Sequence, residues 1–207
     1  KANMSVNLAV GLGNSEARFA VTRHNAGARA LERHAKSCGV ECMRFDKYAN
    51  AYLAKGSIAG KPLAFAFAEG YMNESGRGLA RILKRLKADI SSVAVIYDDI
   101  TIGVGRMKLS RGGSSGGHNG VADIMEFCGN SFVRVRIGVG AKADKRMDLA
   151  DHVLGKLSEA DLAAISALPV RECFSLLLSK GLEAAQNEIN RRAEPRPRES
   201  GGGCGGA

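Results

Sequence analysis

Short apolar runs alternate with amphipathic segments in the first half of this chain, and the alternation predicts its elements. Residues 6–12 (VNLAVGL) are apolar and are ended by glycine, which is typical of a short buried strand. Residues 26–39 place Ala28, Leu31 and Ala35 on one face and stop at a glycine, which predicts a helix. Residues 49–68 alternate apolar and polar positions around a turn, which predicts a β-hairpin.

The middle of the chain repeats this alternation. Residues 75–89 have leucine and isoleucine on one face and arginine and lysine on the other, which predicts an amphipathic helix. Residues 92–99 (SVAVIYDD) are predicted to form a second buried strand. A short strand over residues 105–110 is followed by a Gly/Ser loop and a helix over residues 118–129.

Residues 132–140 (FVRVRIGVG) show strict alternation, with valine and isoleucine on one face and Arg134 and Arg136 on the other. Residues 141–155 form a charged connector with weak periodicity. Residues 158–181 start like a capping box, carry an apolar stripe and should bend at Pro169. Strands that alternate with helices indicate an α/β fold with helices on both faces of the sheet.

Composition narrows the class of protein. With 207 residues, we expect one domain over residues 4–190 and a disordered Pro/Arg/Gly-rich tail over residues 191–207. No apolar run approaches the ~20 residues of a membrane helix, and the first residues lack the features of a signal peptide. The five cysteines include no CxxC pair, so we expect free thiols, no zinc site, a cytoplasmic location and no membrane association.

The chain is basic, with a formal net charge of +9 and a pI near 9.5. Without residues 191–207, 26 basic and 19 acidic residues remain, so the body itself carries +7. This balance favours an anionic partner, of which nucleic acid is the commonest. The alternative explanation is that the positive charge only keeps the protein soluble and binds no partner.

Polar side chains follow the predicted strands. Asn14 follows the first strand, Asp98 ends another, Asn73 follows the hairpin, and His24 and Asn119 precede helices. Ligands gather at the carboxyl ends of strands in α/β sheets, so these loops are candidates to converge on one rim. A histidine base, a carboxylate that orients it and several amide donors suit attack by an activated water. No serine lies in a GxSxG motif.

Structural roles are the alternative for the same residues. His24 and the two aspartates 98 and 99 would then cap or turn the chain, and Asn73 and Asn119 would be helix N-caps. The loops GLGNSE and RGGSSGG resemble phosphate cradles, but neither is a Walker loop. His34 is interpreted as structural, and the role of His152 stays open.

Seven stretches together resemble one family, the bacterial peptidyl-tRNA hydrolases: VGLGN, TRHNAG, YMNESG, YDD, GSSGGHNG, RVRIGVG and HVLGK. They follow the family's order from about residue 6 to residue 189. The resemblance implies one α/β domain with a mixed, twisted sheet surrounded by helices. It also implies hydrolysis of the ester between a peptide and the 3′ end of tRNA, without metal or organic cofactor, by a monomer.

The resemblance also assigns roles. It implies that His24 is the catalytic base and that Asp98 orients it. It places substrate contacts at five positions: Asn14, Phe19, Met72, Asn73 and Asn119. The family's mobile lid aligns with the charged connector.

We expect the tRNA backbone to contact Lys108, Arg111 and Arg136, which flank the Gly/Ser loop or lie on one strand. Lys142, Lys145 and Arg146 are further candidates for such contacts. Ordinary solvated charge is the alternative for each of these cations.

The chain departs from the family pattern at a few positions. The family reads GLGNPGxxY, whereas this chain has Ser15 and Glu16 in place of Pro-Gly and Phe19 in place of tyrosine. Thr101 replaces an aspartate of the family's DDLDLP motif. Other functions stay open: a non-catalytic RNA-binding module, an amidase or peptidase for small N-blocked amino acids, and a nucleotide or phosphate binder.

Overall fold

The computed structural model describes residues 6–142, 144 and 146–193. These residues contain a seven-stranded mixed sheet, on which the helices pack. The strands run in the order β2-β3-β4-β1-β5-β7-β6. β1 is parallel to β4 and β5, and β5 is parallel to β7, whereas the other neighbours are antiparallel. The strands are β1 Leu8–Gly11, β2 Arg44–Asp46, β3 Ala51–Ile58, β4 Lys61–Ala68, β5 Val93–Asp99, β6 Met107–Arg111 and β7 Val133–Gly138.

Helices cover both faces of this sheet, as the alternation of strands and helices predicts. One face packs against the first helix and the C-terminal helices, and the other face packs against the two middle helices. The helices are α1 Ala26–Ser37, α2 Ser75–Leu86, α3 Asn119–Cys128, α4 Leu149–Leu154, α5 Glu159–Ser166, α6 Val170–Lys180 and α7 Leu182–Ala193. The predicted α/β fold with a mixed sheet is confirmed.

The central strand β1 and residues 93–97 of β5 are apolar because both of their faces are buried. Val95 packs with α2 and α3, whereas its neighbour Ile96 packs on the α1 side. A strand that is buried on both sides loses the hydrophobic–polar alternation of a half-exposed strand. This explains why residues 93–97 show no alternation of apolar and polar positions.

Several local features differ from the sequence prediction. The structure adds the three-residue edge strand β2 and the helix α7, which periodicity did not reveal. Residues 158–181 form two helices rather than one bent helix, because the chain turns at Leu168 and Pro169 between α5 and α6. α7 continues to Ala193, three residues into the predicted tail, and residues 194–207 lie outside the described residues.

The stretch Glu159–Lys180 has the length and the apolar composition of a membrane-spanning helix. By length and composition this 22-residue stretch is apolar enough to cross a membrane, with a mean hydropathy of 1.5. The turn at Pro169 divides it into two helices. Cys173 and Phe174 are completely buried in the core, so packing on the sheet accounts for the apolar stripe. The prediction of no membrane association stays a prediction.

Arg134 lies in the interior, although the alternation of β7 predicts an outward position like that of Arg136. Only 3% of Arg134 is exposed. Its guanidinium donates to the carbonyl oxygens of Gly113 at 3.0 Å and Ser114 at 2.5 Å, and to Asn130 Oδ1 at 2.6 Å. The Gly/Ser loop folds over this side of the strand, and Arg134 binds carbonyl groups of that loop.

His34 is buried in the core beside α6, which supports its interpretation as a structural residue. Its ring stacks on Phe174 at 4.5 Å and meets the edge of Phe65 at 5.3 Å. Burial, helped by the positive charge of Arg171, lowers the pKa of His34 from 6.5 to about 4. The ring is therefore neutral in the folded protein at pH 7.

We predict that acid destabilises the protein through His34. The unfolded chain takes up this proton near pH 6.5 and the folded protein near pH 4, so the stabilisation is complete above pH 6.5 and falls as the pH drops towards 4. From pH 7 to pH 5, the wild type should lose about 2 kcal/mol more unfolding free energy than His34→Phe. Urea unfolding at both pH values measures this difference.

The matched control is Arg33→Gln, an exposed position next to His34 on α1, which should follow the wild type. Equal losses of stability in His34→Phe and the wild type would contradict the prediction.

Candidate active site

A cleft of about 630 Å³ opens where β1, β4 and β5 end, at the carboxyl edge of the sheet. Loops that follow these parallel strands meet at this edge, as the sequence analysis expects. The cleft is lined by most of the predicted site residues: Asn14, Phe19, His24, Met72, Asn73, Asp98, Asn119 and Arg136. Lys108 and Arg111 do not line it.

Asp98 lies at the centre of this site, near the end of β5, and is 2% exposed. Its carboxylate oxygens lie 2.9 and 3.0 Å from His24 Nδ1. Oδ1 also lies 2.9 Å from Nε2 of His118. One buried carboxylate therefore binds two histidines that are far apart in the sequence.

His24 reaches Asp98 because α1 approaches β5 very closely. His24 lies in a short 3₁₀ turn, Arg23–Asn25, directly before α1. A Cβ atom on Gly27 would lie only 2.3 Å from the carbonyl oxygen of Ile96. Glycine is therefore required in the first turn of α1, and the TRHNAG motif joins the histidine to the residue that allows its approach.

The proton of His118 can be assigned from its two contacts. His118 is the N-cap of α3, and its Nδ1 accepts a hydrogen bond from the backbone N–H of Val121 at 3.2 Å. An Nδ1 that accepts leaves the ring hydrogen on Nε2, which donates to Asp98. No role for His118 follows from the sequence, where the signal is the His-Asn pair that occurs in both TRHNAG and GGHNG.

The Asp98 carboxyl is ionised. Burial alone would raise its pKa, but the hydrogen bonds and electrostatic attraction of His118 and His24 outweigh burial and hold the pKa well below its usual range. An ionised carboxylate only accepts hydrogen bonds, so His24 must donate from Nδ1. The lone pair of His24 is then on Nε2, the nitrogen that is left for the cleft.

Asn14 is held rigidly by backbone and side-chain bonds. Its Oδ1 accepts from the backbone N–H of Met72 at 2.8 Å. Its own backbone N–H donates to Asn25 Oδ1 at 2.9 Å, and Asn25 Nδ2 donates back to the Asn14 carbonyl at 2.8 Å. Because Oδ1 is occupied, the Asn14 side chain offers its NH₂ group to the cleft. No sequence pattern singles out Asn25, because its pairing with Asn14 forms only in the folded chain.

Asn73 and Asn119 both line the cleft, and both residues are exposed. Glu74 and His118 occupy the N-cap positions of α2 and α3, so neither asparagine is a helix N-cap. Met72 is buried and also lines the cleft. The capping alternative for Asn73 and Asn119 is therefore wrong, and both side chains are available to a ligand.

The predicted tRNA-contacting cations occupy different places. Arg136 lines the cleft and donates through Nε to Asp99 Oδ2 at 2.7 Å. Lys108 lies directly opposite Arg136 on the neighbouring strand. Arg111 is at the other end of β6, where its Nη2 donates to the Ser91 carbonyl at 3.1 Å. The structure brings Lys108 and Arg136 together but leaves Arg111 remote from the cleft.

Hydrogen bonds also involve Thr101, where the chain departs from the family pattern, and the charged connector of residues 141–155. Thr101 Oγ1 donates to Asp99 Oδ1 at 2.6 Å, so the threonine joins the carboxylate that binds Arg136. In the charged connector, Arg146 pairs with Asp144, and Lys142 donates to the Met147 carbonyl at 2.8 Å. The third predicted cation of the connector, Lys145, lies outside the described residues.

α4 covers one side of the cleft. Leu149, Val153 and Leu154 of this helix line it. His152, on the buried side of α4, lies with Nε2 3.0 Å from the Gly140 carbonyl oxygen and so links the two ends of the connector. This contact gives His152 a structural role, a question that the sequence left open.

The His24–Asp98–His118 cluster contains the atom types of a metal site, since one ligand atom from each lies within 4.8 Å of the others. The proton on His118 Nε2 and the separations of 2.9–3.0 Å instead fit hydrogen bonds. Within the described part of the chain, the side-chain hydrogen bonds of His24 go to Asp98, and no hydroxyl is bonded to its ring. The arrangement offers a base and amide donors but no activated serine.

Comparison with known proteins identifies relatives of the whole domain. The family model described as "Peptidyl-tRNA hydrolase" matches residues 8–197. The peptidyl-tRNA hydrolase of Geobacter metallireducens is 37% identical over 192 residues, which cover 91% of this chain and 97% of that protein. The peptidyl-tRNA hydrolase of Mycobacterium tuberculosis strain H37Ra is 36% identical over 186 residues, which cover 88% and 96% of the two chains.

Solved structures of peptidyl-tRNA hydrolases are also similar to this chain over most of its length. The crystal structure of peptidyl-tRNA hydrolase from Acinetobacter baumannii matches with a TM-score of 0.84 at 30% identity and covers 92% of this chain and 97% of that one. A crystal structure of peptidyl-tRNA hydrolase in complex with N-propanol matches with a TM-score of 0.85 at 29% identity, covering 95% and 100% of the chains.

Proposed function

Because the chain belongs to the peptidyl-tRNA hydrolase family, we propose that it hydrolyses peptidyl-tRNA by means of a water molecule that His24 activates. The observation that carries this proposal is the bond of 2.9 Å between Asp98 and His24 Nδ1, which leaves Nε2 as the free base. The substrate is the ester between the peptide and the tRNA 3′ oxygen. Its cleavage returns free tRNA and a peptide acid, and so recycles tRNA from aborted translation.

The reaction needs two proton transfers at one nitrogen. His24 Nε2 takes a proton from water, and the resulting hydroxide attacks the ester carbonyl carbon. The C–O bond to the tRNA then breaks, and His24 returns the proton to the departing 3′ oxygen. Asp98 stabilises the positively charged ring between the two transfers, and His118 holds Asp98 in place. No covalent enzyme intermediate forms in this scheme, and no metal or cofactor takes part.

The asparagines supply neutral hydrogen-bond donors. The Asn14 NH₂ group faces the cleft and would bind the oxyanion or the attacking water. Asn73 and Asn119 are not helix N-caps, and their side chains would bind the polar backbone of the peptide or the terminal nucleoside. Phe19 and Met72 would contact the apolar parts of the substrate.

We further propose that Lys108 and Arg136 bind phosphates of the tRNA. They are neighbours across β6 and β7, and Arg136 reaches the cleft. Arg111 is bonded to Ser91 at the far end of the strand, so we leave it out of this proposed contact surface. A monomeric state and a cytoplasmic location stay predictions; the four described cysteines are free.

Replacing the base should abolish most of the turnover. For His24→Ala we expect hydrolysis of N-acetyl-aminoacyl-tRNA to slow roughly 10²- to 10⁴-fold, while tRNA binding is retained. Release of the N-acetyl-aminoacyl group, followed on acid gels, measures the rate, and filter binding measures the affinity. His34→Phe, which changes a buried histidine remote from the cleft, is the control for folding. Undiminished hydrolysis by His24→Ala would refute the assignment of the base.

Removing the two proposed phosphate contacts should change the salt dependence of binding. Each phosphate contact contributes about 0.7 to 0.9 to the slope of log affinity against log salt, so Lys108→Ala with Arg136→Ala should reduce that slope by about 1.5. Titrations of tRNA at several salt concentrations measure it. Arg111→Ala is the matched control and should keep the wild-type slope. The reverse pattern would place the contact surface at the other end of β6.

A further inference from the structure

Arg136, the proposed phosphate contact that lines the cleft, is bound by a carboxylate. Its Nε donates to Asp99 Oδ2 at 2.7 Å, and its Nη2 lies 2.7 Å from the same oxygen. The contact from Nη2 to Thr101 Oγ1 is longer, at 3.5 Å. Nη1 makes no hydrogen bond to the described residues. Asp99 is therefore the main anchor of the guanidinium, and the Nη1 donors stay available to a ligand.

Asp99 is held in turn by the start of the loop that follows β5. Its Oδ1 accepts from the backbone N–H of Thr101 at 2.8 Å and from the Thr101 hydroxyl at 2.6 Å. One oxygen of the carboxylate thus binds Thr101 and the other binds Arg136. The side chains of Asp99 and Arg136 are only 12% and 29% exposed, so salt screens this pair less than a pair on the open surface.

Thr101 stands where the family motif has an aspartate. A threonine hydroxyl can donate to Asp99, whereas an ionised aspartate only accepts hydrogen bonds and would repel the Asp99 carboxylate. The threonine therefore supports Asp99 as the carboxylate that binds Arg136 and adds no second negative charge beside the guanidinium.

We propose that Asp99 is a positioning residue, which fixes the plane of the Arg136 guanidinium so that its free donors meet a tRNA phosphate. A long side chain that is already held in place loses less conformational entropy when it binds. The role rests on the proposed contact between Arg136 and tRNA. The competing interpretation is that Asp99 only neutralises Arg136, which lies opposite another cation, Lys108.

The variant Asp99→Asn separates these interpretations because they predict opposite effects on tRNA binding. Asparagine has a single oxygen, and its NH₂ group would face either Thr101 or Arg136, both of which donate. A positioning role predicts that the Kd for uncharged tRNA, measured by filter binding, rises about 3- to 10-fold. Neutralisation alone predicts tighter binding, because a phosphate is attracted more strongly once the carboxylate beside Arg136 is gone.

The effect of Asp99 must pass through Arg136. In an Arg136→Ala protein, Asp99→Asn should not weaken tRNA binding further, because the side chain that it positions is gone. In the hydrolysis of N-acetyl-aminoacyl-tRNA, Asp99→Asn alone should raise KM by about the same factor as Kd and retain kcat, as expected for a lost binding contact.

The matched control is Asp89→Asn, at the other end of β5. Asp89 Oδ1 accepts from the N–H of Ser91 at 2.8 Å and from its hydroxyl at 2.5 Å, in the same kind of turn as Asp99 and Thr101. Asp89→Asn makes the same change of charge away from the cleft and should keep the wild-type Kd. Thermal unfolding verifies that each variant is folded.

Three results would overturn the positioning role: a Kd of Asp99→Asn that is unchanged or lower, an equal loss of affinity in the Arg136→Ala background, or a fall in kcat at unchanged KM. Arg136→Ala by itself tests the contact on which the role rests. If this variant binds tRNA as tightly as the wild type, the proposed phosphate contact fails. If it binds more weakly while Asp99→Asn binds normally, the positioning role alone is refuted.

Discussion

The site depends on one buried carboxylate that must be paired. Asp98 carries its charge at 2% exposure, in surroundings that would otherwise favour its neutral form. It is stabilised by ring N–H groups of His24 and His118, which approach from the two faces of the sheet. A hydrogen bond to a charged group contributes about 1.5 to 3 kcal/mol, more than the ~1 kcal/mol of a typical hydrogen bond between neutral groups. The same contacts that satisfy this charge fix the hydrogen of each histidine, and with it the free nitrogen that the proposed mechanism needs.

The sheet brings these partners together. β1 and β5 are parallel neighbours, so the chain leaves both strands at the same edge. α1 crosses β5 closely enough to present His24 because Gly27 has no side chain, and α3 presents His118 as its N-cap from the opposite face. Arg134 binds the carbonyl groups of the Gly/Ser loop that leads to α3. The geometry of the candidate site is therefore a consequence of helix packing rather than of one flexible loop.

Local patterns predict the elements and the convergence of the site, but not its long-range pairs. A short continuous apolar run predicts β5, and apolar residues repeated at helix spacing predict α2. The carboxyl-end rule predicts that His24, Asp98 and Asn14 meet. Neither source reveals that His118 shares Asp98 or that Asn25 binds Asn14, since each pair forms only in the folded chain. The alternation in β7 misplaced Arg134 because the loop that covers it returns from a different part of the sequence.

The central claim is that Asp98 acts on the reaction through His24. Single-turnover hydrolysis of N-acetyl-aminoacyl-tRNA by the wild type, His24→Ala, Asp98→Asn and the double variant measures it, with thermal unfolding to verify that each variant is folded. If Asp98 only orients and stabilises the His24 ring, Asp98→Asn slows the wild type but leaves the rate of His24→Ala unchanged. If Asp98→Asn slows both proteins by the same factor, Asp98 acts independently of His24, and the account is contradicted.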